Sequence, residues 1–122
     1  MPPPFALSFD LDIGAVCATL TGRWSMETAQ DYMRVVAAHV QAAPPGPAPQ
    51  KALYDVRGSE LHSRDIADAL AAFHAQRTPD MDRVAFVAIT ALEGLQAKRI
   101  SSAVHSRVFA TVEDARAWLA EA

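Results

Sequence analysis

The chain has 122 residues, 51% of them apolar and 20% charged, which excludes a disordered segment and suits one domain that buries a core without disulfides or metal. Its net charge of −3 speaks against nucleic acid, which requires a basic face, and against a polybasic membrane contact. No apolar run is long enough to span a bilayer, and the start MPPPFALSF lacks the basic residues and long apolar stretch of a signal peptide, so a soluble cytoplasmic protein is expected.

The first segment, FALSFD (5–10), alternates and predicts a strand. DIG (12–14) is a turn signal and AVCATLTG (15–22) predicts a second strand, so the two form an antiparallel hairpin. Cys17 is the one cysteine. It has no disulfide partner and no His or Asn placed to activate it, and it reads as a small buried hydrophobe in a reducing compartment. Met26, Ala29, Met33, Val36, Ala37 and Val40 fall on one stripe and predict a helix over 25–42. Ser25 is placed as its N-cap, with Glu27 in the first turn where the helix dipole favours it.

AAPPGPAPQ (42–50) stops that helix, because proline neither continues it nor donates to a ladder. The proline-rich loop, 43–50, is a semi-rigid connector inside the domain, without the basic flanks of a proline-recognition ligand. KALYDV (51–56) predicts a strand and SRDIADALAAFHAQ (63–76) a helix, with Ile66, Ala69, Leu70, Phe73 and His74 on one stripe. TPDMD (78–82) turns the chain, and RVAFVAIT (83–90) is nearly all apolar, as a strand covered on both faces should be. Thr90 and Glu93 have capping-box spacing, so a helix runs from there to about 104, weakened by Gly94. SRVFAT (106–111) predicts a short last strand, and a helix capped by Thr111 closes the chain, burying Val112, Ala115, Trp118 and Leu119.

The order β-β-α-β-α-β-α-β-α implies a single α/β domain over 1–122. Right-handed crossovers then build a mostly parallel five-stranded sheet with an antiparallel N-terminal hairpin. With LYDVRG at a strand end, DRVAFVA and the closing VFATVEDARAWLAE, the chain resembles the STAS domain family, in its SpoIIAA-like branch of anti-sigma-factor antagonists. The resemblance covers nearly the whole chain and implies a mixed sheet wound as successive strand–helix turns. It also implies a regulatory loop after the third strand, in which a partner kinase phosphorylates a serine. Asp55 and Gly58 match the family's strand-end aspartate and loop glycine. Ser63, Arg64 and Asp65 then fall on its Asp-Ser-Ser/Thr triplet, which puts the acceptor on Arg64, a residue that takes no phosphate. A one-residue slip makes Ser63 the acceptor but replaces its acidic neighbour by His62. Ser63 and Ser59 are the candidate phosphoacceptors, against the plainer reading of Ser63 as an N-cap.

Helices that follow parallel strands begin at one edge of the sheet, and ligands in open α/β sheets bind there. Asp55, Arg57, Ser59, His62, Ser63 and Arg64 should centre that rim, with Arg23 and Trp24 alongside. Arginines beside helix N-termini make an anion site, unless they pair with Asp55, Glu60 and Asp65. Trp24 either staples a helix start or stands exposed as a recognition aromatic. His74 ends an apolar stripe as a boundary residue, and among His39, His62, His74 and His105 no pair shows metal-ligand spacing. No nucleophile elbow, phosphate-binding glycine loop, cysteine pair or paired-carboxylate motif is present, so neither an enzyme, a cofactor nor a metal is expected. The expected role is a non-catalytic regulatory module binding a protein partner or a small anionic ligand at the rim. The alternatives are a carrier of an apolar or lipid-like molecule lined by Met26, Met33 and Met81, and a cryptic enzyme. An exposed sheet face or edge would also serve a homodimer.

Overall fold

The hairpin forms as the alternation requires. β1 (Phe5–Asp10) pairs antiparallel with β2 (Ala15–Gly22), from Phe5 opposite Leu20 to Asp10 opposite Ala15. The turn is closed by two N–H groups, Gly14 donating to the Asp10 carbonyl at 2.9 Å and Asp12 donating to Asp10 Oδ1 at 3.0 Å. Gly14 sits at φ +67°, where a side chain would be strained. The computed structural model describes residues 3–41, 51–76, 81–101, 103 and 105–121. The predicted connector at 43–50 and the turn residues 78–80 lie outside the described residues.

The rest follows in chain order: α1 (Met26–Gln41), β3 (Lys51–Ser59), α2 (Arg64–His74), β4 (Arg83–Val87), α3 (Ala91–Ser101), β5 (Ser106–Phe109) and α4 (Val112–Ala120). The sheet order is β1-β2-β3-β4-β5, with β2 to β5 parallel, so the predicted mixed sheet is the one found. Each strand adds beside the last, and right-handed crossovers therefore stack α1, α2 and α3 on one face. That face packs Ala18, Leu20, Trp24, Ala29, Tyr32, Ile66 and Leu70, with Phe86 and Val84 toward β4. The opposite face packs Ala15, Leu53, Ala85 and Val87 against Ala115 and Leu119 of α4. Leu53 and Tyr54, or Ala85 and Phe86, thus point to opposite layers, the period-two alternation of a strand covered on both sides.

Several boundaries differ from expectation: α2 ends at His74 rather than 76 and β5 at Phe109 rather than 111, and three others have a visible cause. β3 continues to Ser59 because β2 also continues, pairing Thr21 with Gly58 and Gly22 with Ser59. β4 stops at Val87, since Thr90 turns out to cap α3. α3 ends at Ser101, whose hydroxyl donates to the Lys98 carbonyl and accepts from the Ala103 N–H. Met33 and Met81 pack as core filler and Met26 is partly exposed.

Gly94 is buried inside α3 for a packing reason. A Cβ there would meet the two Val108 methyls at 3.1 and 3.2 Å. The helix loses propensity so that β5 can approach it. Gly94→Ala should therefore gain up to about 1 kcal/mol of stability in a Val108→Ala background, and less or nothing against the native valine. Urea unfolding of the four chains of that cycle measures the coupling, and equal effects in both backgrounds would remove this role for Gly94.

Candidate functional site

The parallel strands deliver all four helix starts to one edge. There the Glu60 N–H donates to the Gly22 carbonyl at 3.0 Å and ties the β3–α2 loop to the β2–α1 loop. Arg23, Ser59, Glu60, Leu61, Thr90, Leu92 and Glu93 line one open groove along this rim. Thr90 accepts the Glu93 N–H at 3.2 Å and its hydroxyl reaches Glu93 Oε1 at 3.1 Å, so the predicted Thr90–Glu93 spacing does form a cap. Ser25 and Thr111 cap likewise, accepting the N–H groups of Thr28 and Asp114 at 3.2 and 3.1 Å.

A strand irregularity divides the predicted rim. Three steps of β3, Asp55 to Gly58, lie against two of β2, Thr19 to Thr21. The extra residue bulges β3 near Val56 and Arg57 and reverses which layer the following side chains face. Asp55 shares the parity of Leu53, toward α4, whereas Ser59 lines the groove on the α2–α3 side. Arg57 grips Asp55 through Nε at 2.9 Å and a terminal nitrogen at 2.7 Å, with the Arg57 N–H adding a third bond at 3.2 Å. Burial alone would push the Asp55 carboxyl up. The Arg57 hydrogen bonds and charge outweigh it and hold the carboxyl below its ordinary value of 3.8.

The arginines therefore do not converge on an anion site. Arg57 is committed to Asp55, Arg64 reaches Asp68 at 4.0 Å across a fully solvated turn, and neither lines this groove or the space behind it. Trp24 is not a recognition aromatic on the rim. It is buried, donates its ring N–H to the Thr21 carbonyl at 3.1 Å, and packs on Phe5, Tyr32 and His62. Ser63 occupies the N-cap position of α2, yet its hydroxyl accepts no cap hydrogen bond. Ser59 donates to the neighbouring Glu60 carbonyl at 3.1 Å. His74 is buried rather than at a boundary, with Nε2 3.2 Å from the Tyr32 hydroxyl.

Behind the groove lies a cavity of about 50 Å³ that motif reading did not anticipate. Tyr32, Tyr54, Leu70, His74, Phe86 and Ile100 wall it, and Ser59, Glu60, Leu61 and Glu93 belong to both spaces. None of the three methionines proposed for an apolar carrier lines it. Burial pushes the Tyr54 phenol up to about 12, so it remains a neutral wall group. His62 is held by Gln96, which accepts its N–H at 2.9 Å and donates to its carbonyl at 3.0 Å. The spacing of Tyr54 and Phe86 in their strands marks them only as apolar. Gln96 carries no sequence signal at all. Among the described residues no group of three His, Cys, Asp or Glu side chains could hold a metal ion, and no helix is long and apolar enough to cross a membrane.

This architecture has solved counterparts. An uncharacterized protein of the DUF3478 family with a SpoIIAA-like fold, from Shewanella loihica PV-4, superposes with a TM-score of 0.72 at 15% identity over 94% of this chain and 93% of that one. The chain has the SpoIIAA-like fold. An anti-sigma factor antagonist from Mycobacterium paratuberculosis superposes with a TM-score of 0.61 at 17% identity, over 98% and 97% of the two chains. No family model matches the sequence, and no curated protein does. In SpoIIAA-like terms, the loop after the third strand is only Glu60–Ser63 here, because Asp55 to Ser59 belong to β3.

The two serine and threonine caps separate cleanly by experiment. Thr111→Ala should cost about 1 kcal/mol, since it frees the Asp114 N–H, whereas Ser63→Ala should stay within about 0.5 kcal/mol. Thermal unfolding of both variants decides, and an equal loss at Ser63 would contradict the cap geometry. The Asp55 pair has a pH signature. Its folded pKa is lowered, so its contribution is complete above the unfolded value of 3.8 and is lost as pH falls through the folded value. The stability difference between the native chain and Asp55→Asn, followed by urea unfolding, should shrink as the pH falls from about 3.8 through the folded value. A difference that already fades near pH 6 would exclude this carboxyl as the source.

Proposed function

We propose that the protein is a non-catalytic regulatory module that binds a protein partner at the rim of helix starts. The observation that carries this reading is a patch of large aliphatic side chains left in water there. Leu61 is 48% exposed, Ile89 74%, Leu92 65% and Leu95 63%. Leu92 and Leu95 stand three residues apart on α3 and so share a face, and Leu61 lines the same groove as Leu92. A solvated apolar patch edged by charged groups, here Arg23, Glu60 and Glu93, is the composition of a protein contact. It is a poor composition for an anionic ligand, because two carboxylates face one arginine in the groove. The fold also agrees, since one solved structure that shares it is named as an anti-sigma factor antagonist. Ser63 is exposed beside Leu61, so a phosphate there would bring charge to the edge of the apolar patch and weaken the contact.

A photo-crosslinking residue at position 92, in the cells that make the protein, tests the reading. Position 11 is the control, because Leu11 is 81% exposed but lies in the β1–β2 turn, at the opposite end of the sheet. One discrete adduct from position 92, absent from position 11 and abolished by Leu61→Asp with Leu95→Asp, is expected. An adduct with a second copy of the chain would make the patch a homodimer contact instead. The same adducts from both positions, or none, would overturn the proposal.

A further inference from the structure

The cavity behind the rim has a chemistry of its own, independent of the partner reading. Its volume of about 50 Å³ leaves room for roughly four water-sized groups. Among the described residues its lining contains two carboxylates, Glu60 and Glu93, and neither lysine nor arginine. Its depth is aromatic: Tyr54 stacks on Phe86 with centroids 5.7 Å apart, and His74 stands edge-on to Tyr54 at 5.8 Å.

Among the described residues, two buried side-chain atoms have no hydrogen-bond partner, and both belong to this lining: His62 Nδ1 and Glu93 Oε2. Neither can easily turn away. The His62 backbone is clamped on both sides by the Gln96 amide, and its ring rests on Trp24 at 5.2 Å. Glu93 is anchored through Oε1 to the Thr90 hydroxyl. A buried polar atom without a partner is destabilising, most of all on a carboxylate, and with the ring proton on Nε2 the His62 Nδ1 is an acceptor. Burial lowers the pKa of His62 below 6.5, so at neutral pH its ring is neutral and supplies no cation to Glu93.

We propose that this cavity binds a small primary organic ammonium ion, which donates N–H bonds to Glu93 Oε2 and His62 Nδ1 and lays its alkyl body against Tyr54 and Phe86. Each part of the lining has a role in that complex. The carboxylate supplies a charge-assisted bond and the aromatic walls cover the alkyl body. The lack of lysine and arginine, with His62 neutral, disfavours anions. A quaternary ammonium would leave both acceptors unmet, so the N–H groups are required. Longer amines would extend through the mouth at Ser59 and Glu60 into the groove.

Amide-resolved NMR titration of the full chain tests this with three probes of similar size: isopropylammonium, isopropanol and propionate. Isopropylammonium should shift the amides of His62, Glu93 and Gln96 saturably, with a Kd on the order of millimolar for so small a ligand. The alcohol and the acid should not. Glu93→Gln should weaken binding about tenfold or more. Ala97→Leu, which fills the cavity from α3 and leaves both acceptor residues in place in the sequence, should abolish it in a chain whose unfolding curve shows it folded. Equal shifts from all three probes, no saturable shift from the amine, or undiminished binding by Ala97→Leu would each overturn the proposal and leave a water-filled cavity. None of these outcomes depends on the crosslinking result at position 92.

Discussion

One chain of ring contacts holds the helical layer to the sheet. It runs from Phe5 in β1 through Trp24 and Tyr32 to His74, then to Tyr54 in β3 and Phe86 in β4, with neighbouring centroids 5.2 to 5.9 Å apart. The link in its middle is polar, the Tyr32 hydroxyl at 3.2 Å from His74 Nε2. In a buried setting that bond can be made in one arrangement of α1 and α2, whereas aliphatic packing would tolerate several. The positions of α1, α2 and the sheet are thus set together. The cavity is the space left where these large flat rings meet the smaller side chains of α3.

The rim depends on that arrangement, and also on a local irregularity. Without the bulge in β3, Asp55, Arg57 and Ser59 would all face α4. With it, the ion pair stays on the α4 side and Ser59 joins the groove. One edge of the sheet therefore has two chemically different sides. The α4 side is neutralised internally by a bidentate pair, and the α2–α3 side is apolar and acidic. That split removes Arg57 from the place where a count of charges along the loop would have put it.

Much of the architecture was legible because it rests on local signals. Alternation in 5–10, the turn at 12–14, the caps at Ser25 and Thr111 and the unbroken apolar run after Arg83 depend on neighbours in the chain. The site was harder to read because its determinants are not local. Gly94 looked like a weak point in a helix, and only the approach of Val108 from β5 explains it. Trp24 followed an exposed Gly-Arg pair and could be taken for surface, yet Phe5 and Tyr32, from two other elements, enclose it. The bulge has no composition that marks it; it exists because β2 and β3 continue together past Thr19. Ser63 held the right position for a cap without forming the bond, since hydroxyl rotamers are not written in spacing.

The strand order repeats the chain order, and this bears on how the protein is made. Each new strand pairs with the one synthesised just before it, so the sheet can lengthen at one edge while the ribosome is still at work. No strand has to wait for a later one to be inserted beside it. The exception is α4, which follows the last strand and among the described helices is the one that covers Leu53, Ala85 and Val87. Until it docks, a nascent chain with a complete sheet still shows one bare apolar face. That makes the interval before α4 docks the period when a chaperone, or a neighbouring nascent chain, has most to bind.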